Sequence, residues 1–387
     1  MAFDGEILEI FSCLPAKPLM KFTSVCKTCN DYVSNPFFIE KQSRKMQSNS
    51  DSSFFIQPNS CKRSEGKLEY HVFPGEANST GVPNESVEFV KNNGRVLASS
   101  NGLIVCRKHN SSSKAMMEDQ LFICNPVTRS YLGIPTPEGT ISTDQDLLIF
   151  FHCNIDMYDQ FPGDYLLMSM EVGKDWSNTL SCKVYIPQKK TWIEAGHIDC
   201  GGRNLQFEDG VYQNDTVYFL SDWSLYFSKN SRFHWPYVVA FDPKECKSRF
   251  IKVPKDARRG LDDQSCKMSI FPWKKDKSIC LVKLLKGVLM VWVLRDFKLG
   301  SWSRILKIRA RAVSMDEPNP SIAGFAVLNG KTLVFATAET LYQYDLTGDR
   351  RSRRVRVICR HQCGKNVLIS SYSSTLRPCG DGARVVA

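Results

Sequence analysis

The feature that most constrains the fold is a four-strand unit that recurs along most of the chain. Its clearest copy, residues 95–135, has the strands RVLASS and LIVCRK joined by a tight turn at Asn101-Gly102, then a polar loop and the strands QLFICNP and YLGIP. An Asn-Gly pair between two apolar runs is a strong hairpin signal. The unit recurs over residues 205–254, 267–308 and 321–359, with a looser copy over 146–198.

The spacing of these units predicts a β-propeller. Tight turns near residues 101, 214, 275 and 329 are separated by one or two multiples of about 55 residues, close to the length of a four-stranded blade. Radial packing buries both apolar faces of such a sheet and leaves only short edges. We predict five blades and a partial one in residues 54–90 (FFIQP, LEYHVF and VEFV), which the tail KNVLISSYSS completes. A two-sheet β-sandwich array is the alternative.

The first forty residues predict three short helices instead of strands. Residues 4–14 carry apolar side chains at helical spacing, and Pro15 ends that helix. A second helix is predicted from Pro18, with Cys26 and Cys29 as neighbours on its buried stripe, and a third begins within SNPFFIEK. A metal site at the two cysteines requires a second ligand pair nearby, which this part of the sequence lacks.

The segment EILEIFSCLPAKPLMKFTSVCKTCNDYVSNPFF resembles an F-box, the helical motif that binds the Skp adaptor of Skp–cullin–F-box ubiquitin ligases. The chain departs from the family at Ala2-Phe3, where Leu-Pro is usual, and at Cys29, where Trp is usual. The resemblance implies an adaptor-binding face drawn from nine residues. They are Leu8, Ile10, Phe11, Leu14, Pro15, Leu19, Phe22, Val25 and Cys26.

The repeated region resembles the plant-type F-box-associated domain, a divergent kelch-like propeller. SSNGLIVCRK, LFICNPVTRSYLGIP, GVYQNDTVYFLSD and VVAFDPKECKSRFIKVP carry this likeness. The expected fold class is therefore mainly β, with a three-helix F-box followed by a propeller of about six blades. The expected domains are an F-box over residues 1–45, a linker over 46–53 and a substrate-binding propeller over 54–387.

The resemblance implies a substrate-recognition subunit of a Skp–cullin–F-box ligase. It would bind the Skp adaptor, through it a cullin, and a target protein that the sequence does not identify. Two other hypotheses stay open: a non-catalytic scaffold with a degenerate F-box, motivated by Ala2, Phe3 and Cys29, and a propeller enzyme acting on glycans or metabolites. No local catalytic or phosphate-binding motif is present. We therefore expect a non-catalytic protein without a cofactor.

The loop that follows TVYFLSD is the candidate target-binding segment. Aromatic and arginine side chains dominate protein-binding hot spots, and the loop is rich in both. Its candidates are Trp223, Tyr226, Phe227, Arg232, Phe233, His234 and Trp235, together with Arg107, Lys108 and His109 from the preceding blade. The alternative is that these rings pack the loop onto the propeller.

Charge and cysteine content give weaker indications. The net charge of +11 favours an acidic partner or simply solubility. The run GDRRSRRVRVICR indicates either an import or phosphate-binding patch or, more commonly, a turn and a strand with Arg354 and Arg356 outward. Cys359, His361 and Cys363 place soft ligands on one side of a strand, and a zinc site would also need a residue such as Cys379.

The cellular setting is expected to be cytoplasmic, nuclear or both. No apolar run reaches bilayer length, and acidic residues stand near the N-terminus, where a signal peptide would carry basic ones. The odd number of cysteines, 15, favours reduced thiols. No membrane or nucleic-acid partner is expected.

Overall fold

The repeated region forms a closed ring of six antiparallel sheets. The computed structural model describes residues 3–48, 53–59, 67–74, 81–108, 121–137, 148–153, 165–171, 177–312, 320–348 and 354–385. The inner strands of the six sheets contact one another in a complete cycle around a central axis. The predicted mainly-β, six-bladed propeller is therefore confirmed.

The blades are numbered in their order around the ring. Blade 1 contains β1 (Ser53–Pro58), β2 (Glu69–Val72) and β23 (Val367–Tyr372). Blade 2 contains β3 (Gly94–Ser100), β4 (Leu103–Lys108), β5 (Leu121–Asn125), β6 (Ser130–Ile134) and the edge strand β24 (Arg384–Val385). Blade 3 contains β7 (Leu148–His152), β8 (Leu166–Glu171), β9 (Thr179–Ile186) and β10 (Thr191–Asp199).

The second half of the ring repeats the same order, from the inner strand outward. Blade 4 contains β11 (Leu205–Gln213), β12 (Thr216–Ser221), β13 (Tyr237–Asp242) and β14 (Lys247–Lys252). Blade 5 contains β15 (Lys267–Trp273), β16 (Ser278–Leu285), β17 (Val288–Asp296) and β18 (Ser301–Arg309). Blade 6 contains β19 (Gly324–Leu328), β20 (Thr332–Ala336), β21 (Thr340–Asp345) and β22 (Arg356–Arg360).

Blade 1 closes the ring by pairing the two ends of the propeller sequence. Strand β23 is its inner strand and pairs antiparallel with β1, from Ser53 opposite Tyr372 to Pro58 opposite Val367. The predicted completion of the first blade by the C-terminal tail is thus confirmed. Because neither segment can complete the blade alone, the closure joins sequence-distant parts of the chain in one sheet.

Burial along the blades explains the composition of their strands. Strands β12, β13 and β16 are buried along nearly their whole length, because neighbouring blades cover both of their faces. They consequently appear as continuous apolar runs. The outer strands β14 and β18 alternate instead, with exposed polar residues between partly buried apolar ones. The tight hairpins also follow prediction, since Asn101, Asn214 and Asn329 all have positive φ.

The strand β22 in the basic run departs from simple alternation. Its pairing with β21 shifts register between Leu341 and Tyr342. Val357 is 52% exposed, although strict alternation with an outward Arg356 would turn it inward. Arg356 is exposed as predicted.

Residues 3–48 form a helical unit, which we call the head. It contains α1 (Phe3–Ser12), α2 (Ala16–Phe22), α3 (Lys27–Val33) and α4 (Pro36–Ser48). The prediction of three helices is wrong in number, because the predicted second helix is two helices. The Thr23 and Ser24 hydroxyls donate to the carbonyls three residues earlier, which competes with helix continuation and ends α2.

Cys26 and Cys29 have a structural role at the start of α3. Cys26 has extended backbone angles and is the N-cap of α3, and its sulfur accepts a hydrogen bond from the Cys29 N–H at 3.3 Å. The predicted buried stripe through both cysteines is therefore wrong: Cys26 is exposed and Cys29 is partly exposed. The hydrogen bond from Cys29 lowers the pKa of the Cys26 thiol.

Two further local predictions are wrong, because part or all of each segment lies in a helix that packs against the rest of the molecule. The segment VEFV, predicted as a strand, lies in a fifth described helix, α5 (Asn84–Asn93), which buries Ser86 and Val90 one turn apart. Residues 46–53 were predicted as a linker, yet α4 runs to Ser48 and buries Met46.

No helix in the described residues is both long and apolar enough to span a bilayer.

The head packs directly onto blades 1 and 2. Ala16, Leu19 and Phe38 share one apolar cluster with Phe55 of β1 and Tyr372 of β23. Polar contacts accompany this packing. The Gln42 amide nitrogen donates to the Leu14 carbonyl at 3.0 Å, its oxygen accepts from the Leu376 N–H at 3.1 Å, and the Ala16 N–H donates to the Ser374 carbonyl at 3.1 Å. The head is thereby held in a defined position on the ring.

Candidate protein-binding surfaces

Exposed apolar side chains concentrate at two places on the molecule. In the described residues, twelve large apolar side chains are exposed; five lie in the head and three in the loop over residues 222–236. The five in the head, which we call the head apolar set, are Ile7, Ile10, Met20, Val25 and Phe37. Several exposed apolar side chains on one small unit make that unit a candidate binding surface, whereas single exposed side chains are ordinary.

The head apolar set is separate from the side chains that hold the head together. Ile10 is 62% exposed and Phe37 is 83% exposed, whereas Leu19 is fully buried. Phe11 and Phe22 stack on each other, with ring centroids 5.0 Å apart. On the polar side of α1, ion pairs with Lys41 and Lys45 lower the pKa of Glu9 to about 2. The internal packing of the head therefore leaves the side chains of the head apolar set exposed to solvent.

The second surface is built on a buried arginine at the base of the 222–236 loop. Arg203 is 1% exposed. Its Nε donates to the Phe233 carbonyl at 2.9 Å and its Nη2 to the His234 carbonyl at 2.7 Å. Its Nη1 bonds the Asp222 carboxylate at 2.9 Å and the Ser224 carbonyl at 2.8 Å. Because these acceptors lie at both ends of the loop, the guanidinium fixes the loop's conformation.

Two glycines permit this close approach. Gly201 and Gly202 have φ values of 64° and 81°, which favour glycine. A Cβ atom on Gly201 would lie 2.7 Å from both the Phe233 ring and the Tyr237 hydroxyl. The Gly-Gly-Arg sequence therefore positions the guanidinium beneath the loop and its aromatic rings against the backbone.

A cavity of about 250 Å³ opens beside this fixed loop. We call it the blade 4 cavity. Its lining consists of Ser231, Arg232, Phe233, Trp235, Tyr237, Phe250, Lys252 and Arg258. The Arg232 guanidinium lies 4.4 Å from the centroid of the Phe233 ring, and the Arg258 guanidinium lies 5.9 Å from that of Trp235. The cavity thus combines aromatic walls with three cationic side chains.

Comparison with known families decides what this combination of head and ring is. The model of the F-box domain family matches residues 6–41, and that of the F-box associated beta propeller domain matches residues 47–344, which is most of the chain. The chain belongs to the F-box associated beta propeller family. Its helical head is an F-box, and the protein is an F-box protein of the kind that the sequence resemblance indicated.

Two curated relatives of this F-box protein are from Arabidopsis thaliana. F-box protein At5g49610 is 21% identical over 324 residues, covering 80% of this chain and 79% of the relative. F-box protein At1g30790 is 26% identical over 322 residues, covering 78% and 73%. Among solved structures, TolB from Acinetobacter baumannii matches with a TM-score of 0.45 at 13% identity over 83% of this chain and 66% of that one. A Lactobacillus plantarum protein gives 0.43 at 9% identity, covering 82% and 99%.

The residues expected to bind the adaptor occupy three different environments in this F-box. Ile10, Val25 and Cys26 are exposed. Leu19 is buried, so in this structure it packs inside the molecule. Those in partly exposed positions are Leu8, Phe11, Leu14, Pro15 and Phe22. Ile7, Met20 and Phe37 are exposed but were absent from the expected face, because helical spacing alone does not distinguish the side covered by the ring.

The loop residues expected to bind the target fall into two groups. Arg232, Phe233 and Trp235 line the blade 4 cavity. The remaining loop candidates hold the loop in place: Trp223 packs against an apolar core cluster, Tyr226 and Phe227 lie over the Arg203 guanidinium, and His234 bonds the Phe227 carbonyl. These four side chains therefore agree with the alternative prediction, in which the rings pack the loop onto the propeller.

Arg107 and Lys108 do not belong to this surface as expected. They lie on β4 of blade 2, and blade 3 stands between blade 2 and the loop of blade 4. The prediction that they come from the blade preceding the loop is therefore wrong. His109 lies outside the described residues. Arg203, Lys252 and Arg258 were not among the residues predicted from the sequence. The Gly201-Gly202 doublet is the one local signal beside Arg203, and no local pattern marks Lys252 or Arg258.

The axial channel is the part of the ring in which the propeller enzyme hypothesis would place an active site. It has a volume of about 530 Å³ and is lined by the inner strands of all six blades. The Ser269 hydroxyl donates to the Asp209 carboxylate at 2.5 Å, and the Tyr212 hydroxyl donates to Asp215 at 2.6 Å. Burial raises the pKa of Asp209 and lowers that of His152 to about 4. His152 is therefore neutral at physiological pH.

The cysteine and histidine cluster near the C-terminus does not match a zinc site. His361 bonds the Thr337 carbonyl, the Cys363 sulfur contacts backbone carbonyls, and Cys379 bonds Ser130 of blade 2. Among the described residues, no group of three or more His, Cys, Asp and Glu side chains is arranged to hold a metal ion. Cys359 lies 3.2 Å from His71, but burial raises its pKa to about 11, so its thiol stays protonated.

Proposed function

We propose that this F-box protein is the substrate-recognition subunit of a Skp–cullin–F-box ubiquitin ligase. The head apolar set is the observation that carries the proposal. Ile10, Phe37 and their neighbours stay exposed although the head packs on the ring. An exposed apolar set of this size, on a motif whose family binds the Skp adaptor, is suited to that interface.

In this proposal the protein contributes position instead of chemistry. The F-box binds the Skp adaptor and through it a cullin, and the propeller holds a target protein at the 222–236 loop. Tethering raises the effective concentration of target lysines near the ubiquitin-conjugating enzyme, which accelerates transfer without a catalytic residue in this chain. The defined seating of the head on blades 1 and 2 supports this role, because it fixes the distance between adaptor and target.

Co-expression with a Skp adaptor tests the proposal. The full chain should form a stoichiometric complex in size-exclusion chromatography. The double variant Ile10→Asp/Phe37→Asp should bind the adaptor at least about 100-fold more weakly, since charges would replace two apolar anchors. The matched control is Leu299→Asp, because Leu299 is 82% exposed on the ring and Phe37 is 83% exposed on the head.

The outcomes separate the two non-catalytic hypotheses. Loss of the complex only in the double variant supports the ligase function. Failure of the unmodified chain to bind any adaptor tested would instead support a scaffold whose F-box is degenerate. Comparing proximity labelling with and without proteasome inhibition would then identify targets that accumulate.

We also propose a cytoplasmic or nuclear location. The fourteen described cysteines are all free thiols, which agrees with a reducing compartment. Fluorescence microscopy of the tagged full-length chain tests this. Accumulation in the secretory pathway would contradict it.

A further inference from the structure

We propose that the blade 4 cavity binds a phosphomonoester group on a side chain of the target protein. This inference rests on the proposed function, because it names the chemical feature that the ligase receptor would recognise. The cavity lies on the loop that carries three of the exposed apolar side chains of the ring, which places it at the surface where a target would dock.

The charged side chains that line the cavity are all positive. Arg232, Lys252 and Arg258 all line it, and its lining includes no carboxylate. Within the described part of the chain, none of these three cations forms an ion pair with an acidic side chain. Asp256, two positions before Arg258, is paired with Arg304 at 3.1 Å. Arg258 donates from Nε and Nη2 to the Val253 carbonyl at 3.1 and 2.8 Å, which holds its side chain without neutralising its charge. Among the described residues, the three positive charges therefore have no acidic partner.

This charge favours a dianion over a single carboxylate. A phosphomonoester carries about 1.5 to 2 negative charges near neutral pH and offers three acceptor oxygens. Such a group can accept hydrogen bonds from several cations at once, whereas one carboxylate would leave most of the local charge uncompensated. Ser231 also lines the cavity; its hydroxyl oxygen accepts from the Phe233 N–H at 3.1 Å and keeps its own proton to donate.

The cavity is prepared before any ligand arrives. Arg203 fixes both ends of the loop from below, so its own charge is used internally. Tyr237 donates its hydroxyl to the Cys200 carbonyl, and its ring packs against Phe250 at a centroid distance of 5.1 Å. The walls therefore change little on binding, which reduces the entropic cost of recognition. The aromatic surfaces are suited to contact the residue that bears the phosphate.

Peptide libraries with one fixed central residue test this inference. The central residue would be phosphoserine, phosphothreonine, phosphotyrosine, serine or glutamate, with random flanking positions. The full chain, with and without the Skp adaptor, would be titrated against each library by biolayer interferometry. We expect at least one phosphorylated library to bind about ten-fold or more tightly than both the serine and glutamate libraries, and inorganic phosphate to compete.

Matched variants assign the effect to the cavity. Arg232→Ala and Lys252→Met should each reduce phosphopeptide affinity about ten-fold, and the double variant should abolish the preference. Lys229→Ala removes the same charge from an exposed position of the loop outside the lining and should stay within about two-fold of the unmodified chain. Thermal unfolding confirms that each variant is folded.

The possible failures are distinguishable. Equal binding of phosphorylated and unphosphorylated libraries overturns the inference, as does a phosphate preference that survives the double variant. If the glutamate library binds as tightly as the best phosphorylated library, a carboxylate is sufficient and the inference is also overturned. Because adaptor binding is measured on the same preparations, a chain that binds the adaptor but not phosphate retains the proposed function without this specificity.

Discussion

Replacing Arg203 with methionine tests whether one buried cation organises the target-binding loop. Met preserves much of the side-chain volume but removes all five hydrogen bonds that the guanidinium donates. The Asp222 carboxylate and the Ser224 carbonyl can regain water, because both residues are partly or fully exposed. The hydrogen bonds to the Phe233 and His234 carbonyls are partly buried and buried, so both carbonyls would lose their partner away from bulk water.

These losses give the expected magnitude. Each orphaned buried acceptor costs about 1–3 kcal/mol, so the Phe233 and His234 carbonyls together cost about 2–6 kcal/mol. Loss of the ion pair adds little, because the partly exposed Asp222 carboxylate regains water. We therefore expect Arg203→Met to lower the free energy of unfolding by about 2–6 kcal/mol if the loop and the blade unfold together. If the loop detaches alone, its amide exchange should accelerate instead.

Urea unfolding and hydrogen exchange measured by mass spectrometry distinguish these cases. The control is Arg232→Met, in which an exposed arginine of the same loop loses a contact worth about 1 kcal/mol or less. The reasoning would be refuted if Arg203→Met unfolded within about 1 kcal/mol of the unmodified chain and its 222–236 amides exchanged no faster.

Three further perturbations test other parts of the structure. Gly201→Ala should destabilise the protein by about 2–4 kcal/mol, because positive φ and steric overlap act together. Gly287→Ala should cost only about 1 kcal/mol, because Gly287 has a φ of 69° but nothing within 4 Å of the added Cβ. Equal losses of stability in urea unfolding would exclude a contribution from steric overlap at Gly201. Gln42→Leu should cost about 2–3 kcal/mol, because the buried Leu376 N–H and the partly buried Leu14 carbonyl both lose their partner. The exposed Gln362→Leu should cost less than about 0.5 kcal/mol, and similar unfolding midpoints for the two variants would contradict the bridging role of Gln42. Because burial raises the pKa of Asp209, the native state holds this proton to higher pH than the unfolded chain, so stability is lost as pH rises through the native pKa. The Tm of Asp209→Asn should therefore improve relative to the unmodified chain between about pH 4 and about pH 7, and a difference in Tm that does not change with pH would show that the carboxylate carries no such cost.

The repeat pattern determined the ring because the relevant information is local. Alternating turns and apolar runs specify strands whichever blade they join, and Asn101 and Asn329 specify hairpins through their tolerance of positive φ. An incomplete first unit together with a spare strand near the C-terminus then required β1 to pair with β23. The helical head could be recognised in the same way, from residues 4–14 and the helix start that follows Asn35.

Tertiary structure decided which faces are covered and which distant side chains meet. Residues 87–90 alternate as a strand would, yet they form part of a helix because Ser86 and Val90 pack one turn apart in the core. The head apolar set differs from the expected face because the ring covers Leu19 and leaves Phe37 in solvent.

The blade 4 cavity is the clearest case in which the sequence did not predict which side chains meet. Arg232, Lys252 and Arg258 come from a loop, a strand end and a 3₁₀ turn. Arg203 holds the loop that places Arg232 beside the other two. Sequence periodicity records the burial of each strand, but it carries no information about distances between loops. Those distances follow from radial packing and from one buried guanidinium, and they are properties of the folded ring alone.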